Sequence, residues 1–420
     1  MTTSETADEP PPTRHEMLMR LLGLVAGTTA VTVAILALGG WPWLVVVGSV
    51  LLIIMLHEAG HFATAKWSGM KATEFFVGFG PRLWSIRRGE TEYGIKAIPA
   101  GGYVKILGMT ALEELDPSDE PRSFVNQSTR KRVLVASAGS IVHLLLALIL
   151  AFCALFWFGK PVLSDRVEIT GLTTVTGVVT PAAKAGLRLG DVIVTIDGTP
   201  TNASNVVAQI HGSHGRPIRI VVLRGGVPLA LLATPRVIKA LAPTPILGIS
   251  LGQPTYLTHP GLFSSFTGTT SIVWGVADQT GHVFASSFSP SGLSSLANQV
   301  TNFKAGAKAK ASGSGAVSIL GAGQLIADAA KAGVEPLFGI LISLNISLGI
   351  LNMLPMLPLD GGHVAIALYE RLRTRRGKAR YRADVKKLMP VVYAFLGFLL
   401  LFVAGKMYLD IAHGTVNPFG

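Results

Sequence analysis

The chain has 420 residues, of which 49% are hydrophobic and only 14% charged, and its mean hydropathy is +0.50. Soluble globular proteins carry about a quarter charged residues, so this composition excludes an ordinary soluble domain and indicates a membrane protein. The net charge of +12 does not indicate nucleic-acid binding, because the basic residues cluster beside apolar segments, as they do in membrane proteins. The single cysteine, Cys153, excludes an intramolecular disulfide and a cysteine-ligated zinc site.

Five apolar segments approach the roughly 20 residues that a helix needs to cross a bilayer. They are residues 17–40, 43–65, 133–158, 337–356 and 388–408. The polar, proline-rich residues 1–16 are predicted to be a disordered cytoplasmic N-terminus. The fold is therefore predicted to be a polytopic α-helical membrane protein, in which 17–40 is an extra span ahead of four others.

Lysine and arginine set the predicted orientation. Residues 66–132 hold eleven of them and residues 371–387 hold nine, and such segments face the cytoplasm. The N-terminus is then cytoplasmic and residues 159–336 lie outside. The chain is therefore expected to cross its membrane several times.

The most informative motif is His57-Glu58-Ala59-Gly60-His61, at the end of an apolar run. On a helix, two histidines four residues apart share one face and can hold a zinc ion, with Glu58 as general base. Histidine and glutamate are costly in lipid without partners, which favours a functional site. The alternative is a solvated polar helix end at the membrane surface.

A third zinc ligand is expected, because catalytic zinc commonly takes three protein groups and one of them is often a carboxylate. The fourth span runs into Asn352-Met-Leu-Pro-Met-Leu-Pro-Leu-Asp360-Gly-Gly-His363, where glycine and proline interrupt the helix. Interrupted backbone is tolerated at membrane depth where it lines a cavity. Asp360 is the candidate ligand; in isolation, Asp-Gly is also typical of a simple turn.

Two further regions show strand patterns. Residues 71–106 combine glycine-rich turns with short alternating stretches, which predicts a β-hairpin or small sheet at the membrane face, with a surface hairpin of no function as the alternative.

Residues 172–250 are predicted to form a compact outer domain with strands at 175–179, 192–196, 218–223 and 227–232 and a helix at 203–210. Its Gly-Leu-x-x-Gly-Asp pattern at 186–191 resembles a permuted bacterial PDZ domain, which would bind extended peptides by strand addition. An unrelated β-rich domain is the alternative.

The region 255–336 is rich in glycine, serine and alanine and is predicted to be an outer amphipathic and linker region. Leu293, Leu296, Val300 and Phe303 share one helical face, so 290–303 is expected to lie on the outer membrane surface. Residues 304–315 are expected to form a flexible basic linker.

The combination of HEAGH in one span, an outer PDZ-like domain and the Asn352–His363 motif in a later span resembles the site-2 protease family of intramembrane zinc metalloproteases. The stretches 76–84 and 88–96 look most like the actinobacterial enzymes of regulated intramembrane proteolysis. This resemblance implies a bacterial inner (plasma) membrane, crossed several times, as the location. The resemblance covers about residues 43–410, with 43–158 and 337–410 forming the membrane core.

This resemblance implies roles for individual residues. His57, His61 and Asp360 match the ligands of one zinc ion per chain, and Glu58 matches the catalytic base. Residues 74–105 match a membrane-reentrant β-element that holds unfolded substrate. The implied substrate contacts are Asn352, Asn345, Gly78, Gly80, Gly101 and Gly102, and the predicted PDZ peptide contacts are Gly186, Leu187, Gly190 and Asp191.

The sequence departs from the family pattern in the third span. The family usually has Gly-Pro-x-x-Asn there, whereas this chain has Gly139-Ser-Ile-Val-His143, with a histidine in place of the asparagine. A hydrogen-bonded packing histidine is the favoured interpretation, an altered substrate contact is the next, and a fourth zinc ligand is disfavoured. The extra span 17–40 is a second departure, and the presence of one PDZ-like domain, where some relatives carry two, is a third.

The predicted function is zinc-dependent cleavage of transmembrane segments in regulated intramembrane proteolysis. The resemblance implies that the substrates are single-span membrane proteins already trimmed outside the membrane, such as anti-sigma factors; no nucleic-acid partner is expected. A non-enzymatic PDZ-bearing membrane scaffold is the rival class, although all four catalytic positions are filled. A transporter is disfavoured because the sequence shows no inverted repeat.

Overall fold

The computed structural model describes residues 40–110, 116–173, 179–238, 244–311, 317–374, 380–414 and 417–419, with scattered positions between 23 and 37. The predicted disordered N-terminus and most of the extra span at 17–40 lie outside the described residues. The chain divides into two compact units. We call residues up to 154 and from 263 onward the membrane unit, and residues 155–262 the sheet unit.

Among the described residues of the membrane unit, four helical segments are long and apolar enough to cross a bilayer: Trp41–Trp67, Thr129–Trp157, Val334–Asn352 and Val385–His413. They coincide, within a few residues at each end, with the spans predicted at 43–65, 133–158, 337–356 and 388–408. The first is α1 (Trp41–Trp67) and the second is α2 (Thr129–Trp157). The chain is therefore a multi-pass membrane protein.

The predicted hairpin region forms β1 (Ala72–Arg88) and β2 (Thr91–Ile106), with several register irregularities. The first part of β1 pairs with residues 102–106 and also with residues 92–95, so the ribbon folds back on itself. Gly78 adopts φ 85°, and a Cβ there would lie 2.6 Å from the carbonyl oxygen of Ile98. Only glycine fits this close crossing of the two strands.

The sheet unit begins with β3 (Lys160–Leu163), which pairs in antiparallel fashion with β12 (Thr255–Thr258) near the end of the unit. This pair brings the first and last parts of the sheet unit side by side. Between them lies a sheet of order β11-β4-β5-β7-β8, with β6 paired to β5 and a separate β9–β10 pair. The strands are β4 (Val167–Leu172), β5 (Val192–Ile196), β6 (Thr199–Pro200), β7 (Ile218–Arg224), β8 (Val227–Ala233), β9 (Arg236–Val237), β10 (Pro245–Ile246) and β11 (Ile249–Gly252). The helices are α3 (Pro181–Ala185) and α4 (Val206–Gly212).

Most of the strands predicted for the sheet unit are present. The strand at 192–196 is found as predicted, and those predicted at 218–223 and 227–232 are each one residue longer. The strand predicted at 175–179 falls almost entirely outside the described residues. The core is a continuous apolar cluster whose fully buried members include Ile169, Ile193 and Ile220, as expected where one sheet face packs against helices.

Residues 262–332 contain more helix than the sequence predicts. The helix predicted at 290–303 is α6 (Pro290–Thr301), but α5 (Leu262–Ser287) and α8 (Ile319–Ala332) were not predicted. The predicted flexible linker at 304–315 is wrong for its described part, which belongs to α7 (Phe303–Ala311). Alanine and lysine are strong helix formers, which explains this difference.

Helix α5 packs within the membrane unit. Val273 lies in one apolar cluster with Ala147 and Ala151 of α2 and with Ile342 and Ile346 of the spanning helix α9 (Val334–Asn352). Its serines, threonines and glycines lower its hydropathy, so composition alone does not mark it as a membrane helix. The described residues also form α10 (Asp360–Arg373) and α11 (Met389–His413).

Candidate metal centre

The two histidines of HEAGH lie on the same buried face of α1. His57 is 9% exposed and His61 is 4% exposed, and their Nε2 atoms are 3.2 Å apart. The i, i+4 spacing produces this geometry directly, because residues four apart on a helix lie one above the other. The face is turned towards α2, which approaches closely at Gly60: a Cβ there would lie 2.7 Å from a Val142 methyl group and 3.1 Å from the carbonyl oxygen of Ala138.

Asp360 joins the two histidines from a distant part of the chain. It is the first residue of α10, after the turn that follows α9. Its Oδ2 atom lies 3.5 Å from His57 Nε2 and 3.3 Å from His61 Nε2. A Cβ on Gly361 would lie 2.2 Å from the carbonyl oxygen of Met353, so this tight turn requires glycine next to the ligand position.

These three residues fit a metal ion. The Nδ1 atom of His61 lies 2.7 Å from the carbonyl oxygen of Val135, which can only accept, so Nδ1 carries the proton and Nε2 presents a lone pair. Asp360 Oδ2 is buried without a hydrogen-bond partner among the described residues. Three ligand atoms separated by 3.2, 3.3 and 3.5 Å match the edges of a tetrahedral site with ligand bonds of about 2.0–2.1 Å.

Glu58 lies beside this group but is held by the β-element. Its Oε2 atom accepts a hydrogen bond from the backbone N–H of Val104, at 2.9 Å. Val104 belongs to the part of β2 that pairs with the start of β1. The carboxylate is therefore fixed between the metal-binding helix and a strand, which is how an acid–base group is kept at a defined position.

A cavity of about 690 Å³ opens onto the metal centre. Residues of α1, the end of β2, the start of α2, α10 and the start of α11 line it, including His57, Glu58, His61, Tyr103, Val104, Ile106, Arg132, Asp360, His363, Glu370 and Met389. The predicted β-element thus forms part of the wall next to the candidate base. A cavity of this size admits water and an extended stretch of peptide.

Space for the ring of His57 depends on Gly139 in α2. A Cβ on Gly139 would lie 2.2 to 2.6 Å from three atoms of the imidazole. Real side chains cannot approach so closely, so α2 leaves a gap that the metal-binding ring fills. The sequence motif Gly139-x-x-x-His143 therefore has both members in contact with His57.

Other predicted site residues are placed as follows. Gly101 and Gly102 are buried in β2, and Asn352 is half-buried at the end of α9. Asn345 is fully buried, with its side chain bonded to His143 and to the carbonyl oxygen of Leu341. A contact between these residues and substrate stays a prediction.

In the sheet unit, the turn at 186–191 is built by its own side chains. Leu187 is 2% exposed in the core, and Asp191 is fully buried, bonded to Arg224 and to the N–H of Arg188. These two side chains are therefore engaged within the turn itself, and a contact between residues 186–191 and a peptide stays a prediction. The Arg224 guanidinium beside Asp191 holds the pKa of that carboxyl below its usual value.

Sequence reasoning missed three contacts at the metal centre: the Val104 N–H, the Val135 carbonyl and the link between His57 and His143. The first two are backbone groups, which the sequence does not distinguish. The third depends on how α1 and α2 are rotated against each other. Only the unusual histidine at position 143 gave a signal, because a lone ionisable residue deep in a span calls for a partner.

Two histidines, an aspartate and a neighbouring glutamate at a cavity among apolar spanning helices define a membrane-embedded metalloendopeptidase. Comparison with known proteins agrees: the profile of Peptidase family M50 matches residues 45–399. The chain therefore belongs to peptidase family M50, the site-2 proteases, and zinc is its metal.

Its curated relatives include proteins named zinc metalloprotease Rip1. The one from Mycobacterium tuberculosis is 34% identical over 407 residues, covering 88% of this chain and 96% of the relative. The one from Mycolicibacterium smegmatis is 33% identical over 416 residues, with the same coverage of both chains. The similarity thus extends over nearly the whole of each relative.

Proposed function

We propose that this chain is a zinc-dependent intramembrane endopeptidase in which His57, His61 and Asp360 hold the metal and Glu58 is the catalytic base. The convergence of three metal-binding atoms within 4.8 Å of one another, from residues up to 303 positions apart, is the observation that carries the proposal. Bound zinc would supply a Lewis acid that polarises a peptide carbonyl and acidifies water.

The residues around the metal account for the remaining chemistry. Glu58 takes a proton from the attacking water and passes it to the leaving amine, as a general base that becomes a general acid. The Val104 N–H holds the carboxylate in place for both steps. His61 is kept in its metal-binding tautomer by the Val135 carbonyl.

A substrate helix must unwind before it can be cut, because its carbonyl groups are engaged in hydrogen bonds within the helix. The segment 102–106 of β2 lies beside Glu58 and lines the cavity. We propose that this edge receives the unwound substrate as an added strand, with the glycines at 78, 80, 101 and 102 shaping it and Asn352 contacting the substrate backbone. Water reaches the centre through the same cavity.

The proposed substrates are single-span membrane proteins already trimmed outside the membrane, with anti-sigma factors as the expected class. In the proposed topology, both basic segments and the metal centre lie towards the cytoplasm and the sheet unit lies outside. Cells carrying the native chain and cells carrying Glu58→Gln would be compared by mass spectrometry of membrane-protein fragments. A stub that accumulates only with Glu58→Gln identifies a substrate; no difference between the two would contradict the proposal.

The sheet unit is proposed to act as a PDZ domain that senses a newly exposed C-terminus or excludes bulky substrates. Strands β8 and β11 end the sheet order and offer edges for strand addition. Because β3 and β12 pair at its base, residues 165–253 can be exchanged for a short glycine–serine linker with little effect on the chain ends. Unchanged cleavage rate and substrate choice after this exchange would exclude the proposed role.

The rival proposal is a non-catalytic scaffold that holds membrane proteins through its sheet unit. The buried ligand set and the positioned Glu58 argue against it, since a scaffold has no need of either. Stoichiometric zinc together with cleavage of a model transmembrane peptide would separate the two. A scaffold would bind the peptide and leave it intact.

A further inference from the structure

His143 lies deep in α2, 2% exposed, and both of its ring nitrogens are engaged. Its Nε2 atom is 3.1 Å from His57 Nδ1, and its Nδ1 atom is 3.1 Å from Asn345 Oδ1. The Asn345 amide Nδ2 in turn donates to the carbonyl oxygen of Leu341, at 2.9 Å. A continuous chain of hydrogen bonds therefore runs from α9 through α2 to a zinc-binding residue of α1.

The Leu341 carbonyl determines the donor and acceptor roles along this series of hydrogen bonds. The Leu341 carbonyl can only accept, so the Asn345 NH₂ group faces it and the Asn345 oxygen faces His143. His143 must then carry its proton on Nδ1 and present a lone pair on Nε2. That lone pair accepts from Nδ1–H of His57, which leaves the lone pair of His57 Nε2 directed at the metal centre.

We infer that His143 is a positioning residue, which sets the tautomer and ring orientation of His57 through the chain His57–His143–Asn345. The ring nitrogen of a metal-binding histidine that does not bind the metal commonly donates a hydrogen bond to a carboxylate, a carbonyl or water. Here the acceptor is a second imidazole, that of His143. His143 itself is not assigned as a metal ligand, since His57 and Asn345 engage both of its ring nitrogens. The inference rests on the proposed zinc site.

The packing around His143 is built to hold this arrangement. A Cβ on Gly349 of α9 would lie 3.3 Å from the Cβ of His143, so α9 passes close to α2 at this level. Gly139, one turn before His143, leaves the space for the His57 ring. The two glycines bring three spanning helices together around the two imidazoles.

The test uses the purified full-length chain in detergent and measures zinc affinity by competition with a chelator. His143→Phe keeps the ring volume but removes both nitrogens, and it is expected to weaken zinc binding about 10- to 100-fold. His143→Gln places an amide oxygen and NH₂ where the ring nitrogens were, and it is expected to restore most of the affinity. Ser140→Ala is the control, because this buried hydroxyl on the same helix has no hydrogen-bond partner among the described residues.

A double-substitution cycle separates positioning from general packing. Asn345→Leu removes the acceptor of His143, and it is expected to weaken zinc binding less than His143→Phe does. If His143 and Asn345 act through one series of hydrogen bonds, the double variant binds zinc no more weakly than His143→Phe alone. The visible spectrum of the Co²⁺-loaded chain provides a second readout and is expected to change with His143→Phe but not with Ser140→Ala.

Two outcomes would overturn the inference: a folded His143→Phe chain that binds zinc as tightly as the native chain, or losses that simply add in the double variant. If His143→Phe fails to fold, the comparison of His143→Gln with Asn345→Leu decides, and retained affinity in Asn345→Leu overturns it. A native chain that binds zinc but cleaves no membrane protein contradicts the proposed function instead, and the affinity measurements still decide the role of His143.

Discussion

The backbone N–H of Val104 donates a hydrogen bond to the carboxylate of Glu58, joining the edge of the β-element to the candidate base over 2.9 Å. The same β-element is the proposed receiving edge for substrate. A strand that docks there would therefore contact the segment that also positions Glu58. In that proposal, one short piece of backbone couples substrate binding to the placement of Glu58.

Val104→Pro tests this coupling, because proline has no N–H to donate. Hydrogen bonds to charged groups are worth about 1.5–3 kcal/mol, so cleavage is expected to slow by about 10- to 100-fold, mainly in kcat. Zinc content should stay at that of the native chain. Val104→Ala keeps the N–H and should lose far less activity; equal losses in the two variants would show that the hydrogen bond does not matter.

Gly139→Ala is expected to displace the ring of His57, since the added methyl group would lie within 2.6 Å of three imidazole atoms. Zinc affinity and cleavage should both fall by at least about 10-fold, as for other changes that misplace a metal ligand. Gly48→Ala on α1 is the matched control, because a Cβ there has no atom within 4 Å. Full zinc binding by Gly139→Ala would contradict the described approach of α1 and α2.

A buried ion pair braces the cavity wall. Arg132 at the start of α2, 3% exposed, donates to Glu370 of α10, 5% exposed, and the N–H of Ala383 donates to the same carboxylate. Removing one member of a buried pair costs about 3–5 kcal/mol, so Glu370→Leu should lower the thermal unfolding midpoint strongly. Lys387→Ala, which breaks an exposed pair with Asp384, should change it little. Similar shifts in both would contradict the bracing role.

The turn between β1 and β2 is held by a charge cluster at Glu90. Hydrogen bonds from Arg122, and then from Lys66, lower the pKa of Glu90 to about 2, below its usual 4.5. The folded state therefore holds this proton less tightly than the unfolded chain. The stabilisation is fully present above about pH 4.5 and is lost as the pH falls towards 2.

Glu90→Gln should accordingly lower the thermal midpoint at pH 7, and the difference from the native chain should shrink below pH 4.5. Thermal unfolding in detergent at several pH values measures this. Glu335→Gln is a control that removes one carboxylate outside the cluster. A Glu90→Gln difference that grows as the pH falls would contradict the assigned direction.

The sequence predicted the site better than its surroundings. Helical spacing alone placed His57 and His61 on one face, and the need for a third ligand singled out Asp360, because these follow from local geometry and coordination chemistry. The role of His143 could not be predicted from local spacing or coordination chemistry, since it depends on how three helices pack against one another. Helix α5 was missed because its many polar residues hide a face that packs on α2 and α9.

The most direct test is to compare the native chain with Glu58→Gln, both purified and loaded with zinc. The assigned roles predict that the two bind the same amount of zinc, one ion per chain, and that only the native chain cuts a model transmembrane peptide. Glu58→Gln that cleaves at a near-native rate, or that loses its zinc, would contradict the assignment of Glu58 as base rather than ligand.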